Sequence, residues 1–448
     1  MSPAGHGTPV YDLIGVGFGP SNLSLAIALA EHNAGGGPAV TARFLERQDG
    51  FGWQSGMLIS DATMQVSFLK DLVTLRNPAS RFSFLSYLHD HGRLIDFVNH
   101  KNLFPLRVEF HDYFRWCAGQ VRDQVSYGRE VTGVRPVRQD GEIAYLDVTT
   151  SAGEVLRARN VVLATGLSPS LPAGVTAAER IWHSSQLLHR VESVDAADAK
   201  RFVVVGAGQS AAEVTAFLHE RFPSAEVCSV FSRFGFSPSD DSPLANRIFD
   251  PDTVDEFYAA PEAMKRKLMD YHANTNYSVV DLDLIEELYR RSYREKVLGT
   301  QRLRWFNASR TVDVVDTGRG ALVTVESMTS GERTVLDADA AVFATGYRAD
   351  DALPLLGELA QCCHRDEWGR LSVERDYRVV TDDELLPAVY LQGGGTEHSH
   401  GITSSLLSNN AVRAGDILQS VVHRLPAPRG ELSAAGAAVG GSCSRQSH

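Results

Sequence analysis

Residues 11–26 read YDLIGVGFGPSNLSLA, and this stretch decides the fold. A short apolar run, Tyr11–Val16, meets a glycine cluster and then a helical pattern from Asn22 to Glu31. Strand, glycine turn and helix in that order form the nucleotide-binding unit of doubly wound folds. Gly15 is expected to permit the tight turn. Gly17 is expected to let the backbone approach a pyrophosphate, seated where the unpaired N–H groups of the helix N-terminus point. Gly19 continues the cluster, and Pro20 stands where a third glycine is usual, a residue compatible with the first turn of a helix. Downstream, Arg43–Glu46 reads as the next strand ending in an acid, with Glu46 placed to accept hydrogen bonds from ribose hydroxyls.

About 190 residues later the plan recurs. Arg201–Val205 (RFVVV) precedes Gly206, Gly208 and a helical pattern over Ser210–Glu220, with Ala211 as an accepted variant of the third glycine. The following strand, Glu226–Phe231, leads to Ser232 and Arg233. An arginine where NAD enzymes carry an acid suits a 2′-phosphate, which favours NADPH. Gln209 and Ser210 lie at the helix start, within reach of phosphate or nicotinamide. Two dinucleotide units in one chain imply a redox relay, with FAD resident and NADPH delivering hydride to it.

Two further strands end alike, Asn160–Gly166 (NVVLATG) and Ala340–Gly346 (AAVFATG). The second is expected to return the chain to the first domain. The fold class is therefore α/β, with two Rossmann-like dinucleotide-binding domains and a smaller helical insert. Residues 9–166 and 340–425 form a discontinuous FAD domain, 167–239 and 300–339 the NADPH domain, and 240–299 a substrate region. Within the insert, Pro251–Tyr258, Ala260–His272 and Asp281–Val297 have helical periodicity. The Ala-, Gly- and Ser-rich stretch 426–448 reads as a mobile tail.

The chain has 448 residues and a net charge of −12, with no dense Lys/Arg run, which argues against a nucleic-acid partner. Its five cysteines are odd in number and contain no CxxC, so no disulfide framework is expected. The adjacent Cys362 and Cys363 would need an electropositive setting to be reactive. The polar N-terminus lacks a basic leader, and no apolar stretch reaches the length of a membrane span, so a cytoplasmic protein is expected. His183, His398 and His400 lack a carboxylate or cysteine at ligand spacing. No metal is expected, and these histidines are assigned to backbone hydrogen bonds.

Lys70 stands in the otherwise apolar run Val66–Leu72 beside Asp71. A charge there is costly unless paired, either with a substrate carboxylate or with Asp71 or another internal acid. Asn246 and Asn276 lie in turn-like contexts and read as ligands or as helix caps.

The sequence resembles the flavin-dependent N-hydroxylating monooxygenases that act on ornithine or lysine, closest to the ornithine N5-hydroxylase branch. The resemblance runs from about Tyr11 to Leu418. It rests on GVGFGPSNLSLA (15–26), MQVSFLKDLVTLRNPASRFSFLSYL (64–88), FPLRVEFHDYFRW (104–116) and VVGAGQSAAE (204–213). It continues through DDSPLANRIFDP (240–251), NTNYSVVD (274–281), ATGY (344–347) and HGITSSLLSN (400–409).

The resemblance implies that Gly15, Gly17, Gly19, Pro20 and Glu46 hold FAD, with Trp53 and Gln65 close to it. It implies that Gln209, Ser210 and Arg233 hold NADPH. Lys70 and Asn246 would bind the amino-acid end of the substrate, and Asn276 would sit between substrate and nicotinamide ribose. Leu406 and Ser408 would close the pocket. Gln65 and Asn276 are the implied catalytic residues. The chain departs from the family where Gln54 replaces a common histidine, and where Leu244-Ala245 replaces Phe-Val before the substrate asparagine.

The implied reaction is NADPH-dependent hydroxylation of the L-ornithine side-chain amine through a C4a-hydroperoxide of the flavin, in siderophore or related hydroxamate or N–N biosynthesis. The implied partners are a small amino acid or diamine and O₂, and the implied assembly is a homotetramer or homodimer. L-Lysine, putrescine and cadaverine are alternative substrates. The competing classes are a two-dinucleotide flavin reductase or oxidase (a disulfide reductase among them), a ketone or sulfide monooxygenase, and a non-catalytic FAD protein.

Overall fold

The computed structural model describes residues 9–425, so the stretch 426–448 lies outside the described residues. In chain order come β1 (Leu13–Val16), α1 (Pro20–Ala34), β2 (Ala42–Leu45), α2 (Arg107–Gln120), β3 (Val125–Ser126) and β4 (Asn160–Leu163). There follow β5 (Ile181–His183), β6 (Arg201–Val205), α3 (Gln209–Arg221) and β7 (Glu226–Val230). Next are α4 (Pro251–Ala259), α5 (Glu262–His272), α6 (Leu282–Leu298), β8 (Leu303–Phe306), β9 (Ala340–Phe343), β10 (Ala388–Leu391) and α7 (Asn410–His423). The three helices expected in the insert are present as α4, α5 and α6.

Two parallel sheets carry the fold. The first has the order β10-β4-β1-β2-β3 and the second β5-β9-β6-β7-β8. Every pairing within them is parallel. β1, β4, β9 and β10 are buried along their whole length, as sheets covered on both faces require.

The two sheets have the same plan, and this corrects the expected domain boundary. β9 does not return the chain to the first sheet. It pairs with β6 and β5 in the second, as β4 pairs with β1 in the first. A close contact at each glycine turn accompanies this pairing. Gly17 has φ +81° and would place a Cβ 2.4 Å from the Ala164 carbonyl oxygen. Gly206 has φ +146° and would place a Cβ 2.4 Å from the Ala344 carbonyl oxygen. Each turn thus presses on the Ala-Thr-Gly end of its own neighbouring strand. The strand that re-enters the first sheet is β10, which no sequence motif announced. The segments leaving β4 and β9 pair with each other, Leu167–Pro169 running antiparallel to Tyr347–Ala349.

Gly15 also differs from expectation. It lies inside β1, and a Cβ there would meet the Phe44 ring at 2.3 Å. Its role is packing against β2, while the left-handed turn belongs to Gly17.

A buried ion pair ties the halves together. Arg107, the first residue of α2, is bidentate to Glu213 on α3, at 2.8 and 2.6 Å. Arg107 also donates to the Met57 carbonyl (3.0 Å), and Gln209 Nε2 donates to Glu213 Oε1 (3.0 Å). Both charged side chains are nearly inaccessible, at 9% and 5% exposure. No described helix is long and apolar enough to cross a membrane.

Removing one partner of such a pair leaves an uncompensated buried charge. Glu213→Leu is expected to lower unfolding stability by about 3–5 kcal/mol, while Arg107→Leu/Glu213→Leu should recover a large part of that loss. Urea denaturation followed by circular dichroism reads both, and equal losses in single and double variants would contradict the account. Gly17→Ala should cost about 2 kcal/mol or more from its positive φ and its contact with Ala164, read by the same measurement.

Candidate active site

A cleft of about 1230 Å³ runs from the first glycine turn to the helical insert. This exceeds the ~300–1,000 Å³ of a pocket for one small ligand, so it has room for more than one. Its walls include Gly17, Gly19, Pro20, Glu46, Trp53, Gln65, Lys70, Gln209, Asn246, Asn276, Leu406 and Ser408. The structure therefore brings together twelve of the residues singled out in the sequence. Gly15, Ser210 and Arg233 do not line it.

At one end, α1 points its N-terminus at the cleft. Gly19 is the N-cap and offers no side-chain cap, and Pro20 opens the helix. A Cβ on Gly19 would meet nothing within 4 Å, so its backbone is open to close approach. Glu46 stands just beyond β2 and is buried. Its Oε2 accepts the Phe18 N–H (2.6 Å) and its Oε1 the Gln48 N–H (2.9 Å). The carboxylate thus fixes the glycine turn, and each oxygen keeps a lone pair for a hydroxyl donor. Trp53 packs edge-on against Phe114, with ring centroids 5.3 Å apart. Gln54, where the chain departs from the family, takes the left-handed conformation at φ 48° and also lines the cleft.

In the middle, one residue, Asp281, connects three elements through its carboxylate and its backbone N–H. Gln65 Nε2 donates to Asp281 Oδ2 (3.0 Å), and the Asp281 N–H donates to Gln209 Oε1 (2.9 Å). Gln209 also holds Glu213, so the cleft wall is continuous with the buried Arg107 pair. The segment carrying Asn276 and Asp281 covers the start of α3, with Ser278 Cα 3.4 Å from a Cβ on Gly208.

Arg233 lies on the exposed outer side of that segment. Its Nη1 donates to the Ser278 carbonyl (2.9 Å) and contacts Ser237 Oγ (3.2 Å). Its position differs from that of a residue pointing into the main cleft, because the loop after β7 turns it toward solvent.

At the other end stands Lys70. Its ammonium lies 5.6 Å from the Phe249 ring centroid, and burial pulls its pKa below the ordinary lysine value while nearby Asp250 raises it. Asp71, the internal partner open in the sequence, is engaged elsewhere. Buried, it accepts the N–H groups of Val73 (2.9 Å), Thr74 (2.6 Å) and Phe84 (2.8 Å) and the Thr74 hydroxyl (2.9 Å). Asn246 donates to the Asp241 carbonyl (2.6 Å) inside the short helix Ala245–Phe249, and Asn276 ends the turn Ala273–Thr275. Neither is a helix N-cap. Leu244 is 81% exposed, and neither it nor Ala245 lines the cleft.

The three histidines donate to backbone carbonyls through Nε2, as expected. His183 reaches Gly346 O (2.9 Å), His398 Leu371 O (2.9 Å) and His400 Arg375 O (3.1 Å). Cys362 and Cys363 pack in the first-sheet core, and burial pushes the Cys363 thiol up to about 11. That is the wrong direction for a thiolate nucleophile.

Sequence reasoning missed Arg107, Glu213, Asp281 and Arg413, the last a buried arginine of α7 that lines the cleft. The signal for Glu213 and Arg413 was present: each is a charge on the buried face of an amphipathic helix, between Ala212 and Val214 and between Ala411 and Ala414. Asp281 and Arg107 act through contacts distant in sequence, which no local pattern encodes.

The family model described as L-lysine 6-monooxygenase/L-ornithine 5-monooxygenase matches residues 9–349. The L-ornithine N(5)-monooxygenase of Burkholderia cepacia is 43% identical over 403 residues, covering 88% of this chain and 90% of that one. The L-ornithine N(5)-monooxygenase of Pseudomonas aeruginosa is 39% identical over 435 residues, covering 95% and 96%. The solved ornithine N-hydroxylase of Kutzneria sp. 744, in a complex with reduced FAD, NADP+ and L-ornithine, superposes with a TM-score of 0.89. It is 46% identical and covers 93% of this chain and all of its own. With that extent of agreement in sequence and fold, the chain belongs to the L-lysine 6-monooxygenase/L-ornithine 5-monooxygenase family.

Proposed function

We propose that this protein hydroxylates the side-chain amine of L-ornithine at N5, using FAD, NADPH and O₂. One observation carries the reading. Lys70 presents a half-buried ammonium with no salt bridge among the described residues, Asp250 acting on it only from a distance, in one cleft with Asn246, Asn276 and an open glycine turn. A buried cation beside two carboxamides is complementary to an α-amino acid, which brings a carboxylate and an ammonium to the same end.

The cleft suits FAD. The uncapped N-terminus of α1, the bare Gly19 and the buried Glu46 present N–H donors and a hydroxyl acceptor along one wall. Gly17, Gly19, Pro20 and Glu46 would hold the dinucleotide, with Gly15 supporting the turn from β1 and Trp53 and Gln65 beside the ring. Gln209 and Ser210, at the start of α3, and Arg233, on the covering loop, would hold NADPH. Bound FAD, once reduced by NADPH, supplies the activated oxygen for transfer to nitrogen.

The chain's own residues do the rest. Lys70 pairs with the substrate carboxylate, and Asn246 and Asn276 accept from its α-ammonium. That fixes one end, so the side-chain amine extends along the cleft toward Trp53 and Gln65. Leu406 and Ser408 close the wall and exclude water. Gln65 and Gln209, both held by Asp281, are fixed in rotamer before any ligand arrives. Residues 9–166 with the return through β10 and α7 form the FAD unit, the second sheet the NADPH unit, and 240–299 the substrate region. A homotetramer or homodimer in the cytoplasm is the assembly and setting that accompany this reading.

Lys70→Ala is expected to raise KM for L-ornithine about 10–100-fold, the equivalent of one charge-assisted hydrogen bond, with a smaller effect on kcat. Unchanged KM would point instead to putrescine or cadaverine, which have no carboxylate. A screen of ornithine, lysine and both diamines, with hydroxylated product measured per NADPH, separates these and exposes an oxidase that releases only peroxide.

The reaction needs a neutral amine, and an amine of pKa near 10.4 costs about 4 kcal/mol to deprotonate at pH 7.4. kcat/KM should therefore rise with pH to 8 or above. Lys70 must stay protonated to bind carboxylate, and its pKa is lowered, so the profile should fall again below the pH at which a free lysine titrates. A profile that is highest in acid would refute the mechanism.

A further inference from the structure

Arg413 is buried to 2% exposure on α7, yet no carboxylate among the described residues pairs with it. Its Nη1 donates to the Ser404 carbonyl (2.8 Å), and its Nη2 reaches Asn410 Oδ1 and Ser21 Oγ (3.3 Å). Its Nε has no partner, and neither has the buried Ser404 hydroxyl beside it. The Tyr377 ring lies 6.0 Å from the guanidinium carbon. Asp416, on the same helix, is paired with Arg375 (3.0 Å). A guanidinium in this setting is a large unmet cost, since a buried charge is stable only when paired. Burial accordingly lowers its pKa.

The residue also lines the cleft, as do Ser404, Asn410 and Ser21. Ser21 is the second residue of α1, so the unpaired cation stands beside the uncapped helix N-terminus. Two independent positive poles, a full charge and a helix dipole, converge on one stretch of wall.

We propose that Arg413 is the counter-charge for the diphosphate of FAD, completing from the C-terminal helix an anion site that the glycine turn only half builds. The inference rests on the reading of this cleft as the FAD site. It explains why a chain would keep an arginine in the middle of the apolar face of its last helix. The charge costs stability in the apoprotein and is neutralised when the dinucleotide binds.

The test is Arg413→Met, an apolar replacement of similar reach, with FAD removed and titrated back. The dissociation constant for oxidised FAD is expected to rise about tenfold or more, the scale of a charge-assisted contact. The apoprotein should melt no lower than the wild-type apoprotein, so that only the FAD-induced rise in Tm shrinks. The midpoint potential of bound flavin should hold its wild-type value, because the diphosphate carries the same charge in both oxidation states.

Wild-type FAD affinity in the variant would overturn the assignment, as would equal falls in apo and holo Tm, which mark a purely structural residue. Wild-type affinity for oxidised FAD with a lowered potential would place the cation under the isoalloxazine and also overturn it. Arg413→Lys keeps the charge and should bind FAD close to wild type. A tenfold loss there would overturn the assignment even if the methionine variant does not fold. A wild-type chain that binds no FAD would instead refute the proposed function.

Discussion

Each half of the molecule depends on a glycine pressed against a carbonyl. Gly17 meets Ala164 and Gly206 meets Ala344, each at a distance that admits no side chain. The contact sets how closely the turn can lie on its neighbouring strand, and so where the following helix begins. In both sheets the result is the same: the helix N-terminus is aimed past the strand ends, where open α/β sheets bind their ligands. The repeated Ala-Thr-Gly sequence is the other half of that contact.

The two halves are joined by apolar packing, with Met57, Ile59 and Ala62 set among Trp182, Leu187 and Phe202, and by charge. Arg107 and Glu213 join α2 to α3 through a buried, bidentate pair. From Glu213 the connection runs through Gln209 and Asp281 to Gln65. This chain crosses the first half, the second half and the helical insert in a few hydrogen bonds. On the proposed reading, this one network would align the walls for both cofactors with the substrate end.

Unpaired cations mark both ends of the cleft. Lys70 and Arg413 each sit on a buried or half-buried wall without a salt bridge among the described residues, while the acids near them in sequence, Asp71 and Asp416, are engaged elsewhere. An interior that neutralised these charges would be more stable and would have nothing to offer an anionic ligand. On the proposed reading, a neutral ligand would leave a charge unmet, which is a basis for selectivity.

From sequence alone, strand, glycine turn and helix were legible twice, because that unit is short and its chemistry is local. Lys70 was legible as an anomaly, a charge in an apolar run. Glu46 was legible from its place after the second strand. Only the folded chain decided the partner of the second Ala-Thr-Gly strand, since both copies have the same local sequence and pairing is a long-range choice. It alone gave Gly15 to packing rather than to the turn, turned Arg233 outward, and engaged Asp71 with backbone amides. It alone brought Arg413 to Ser21 across nearly the whole length of the chain, because periodicity can place a residue on a buried face but cannot say what that face meets.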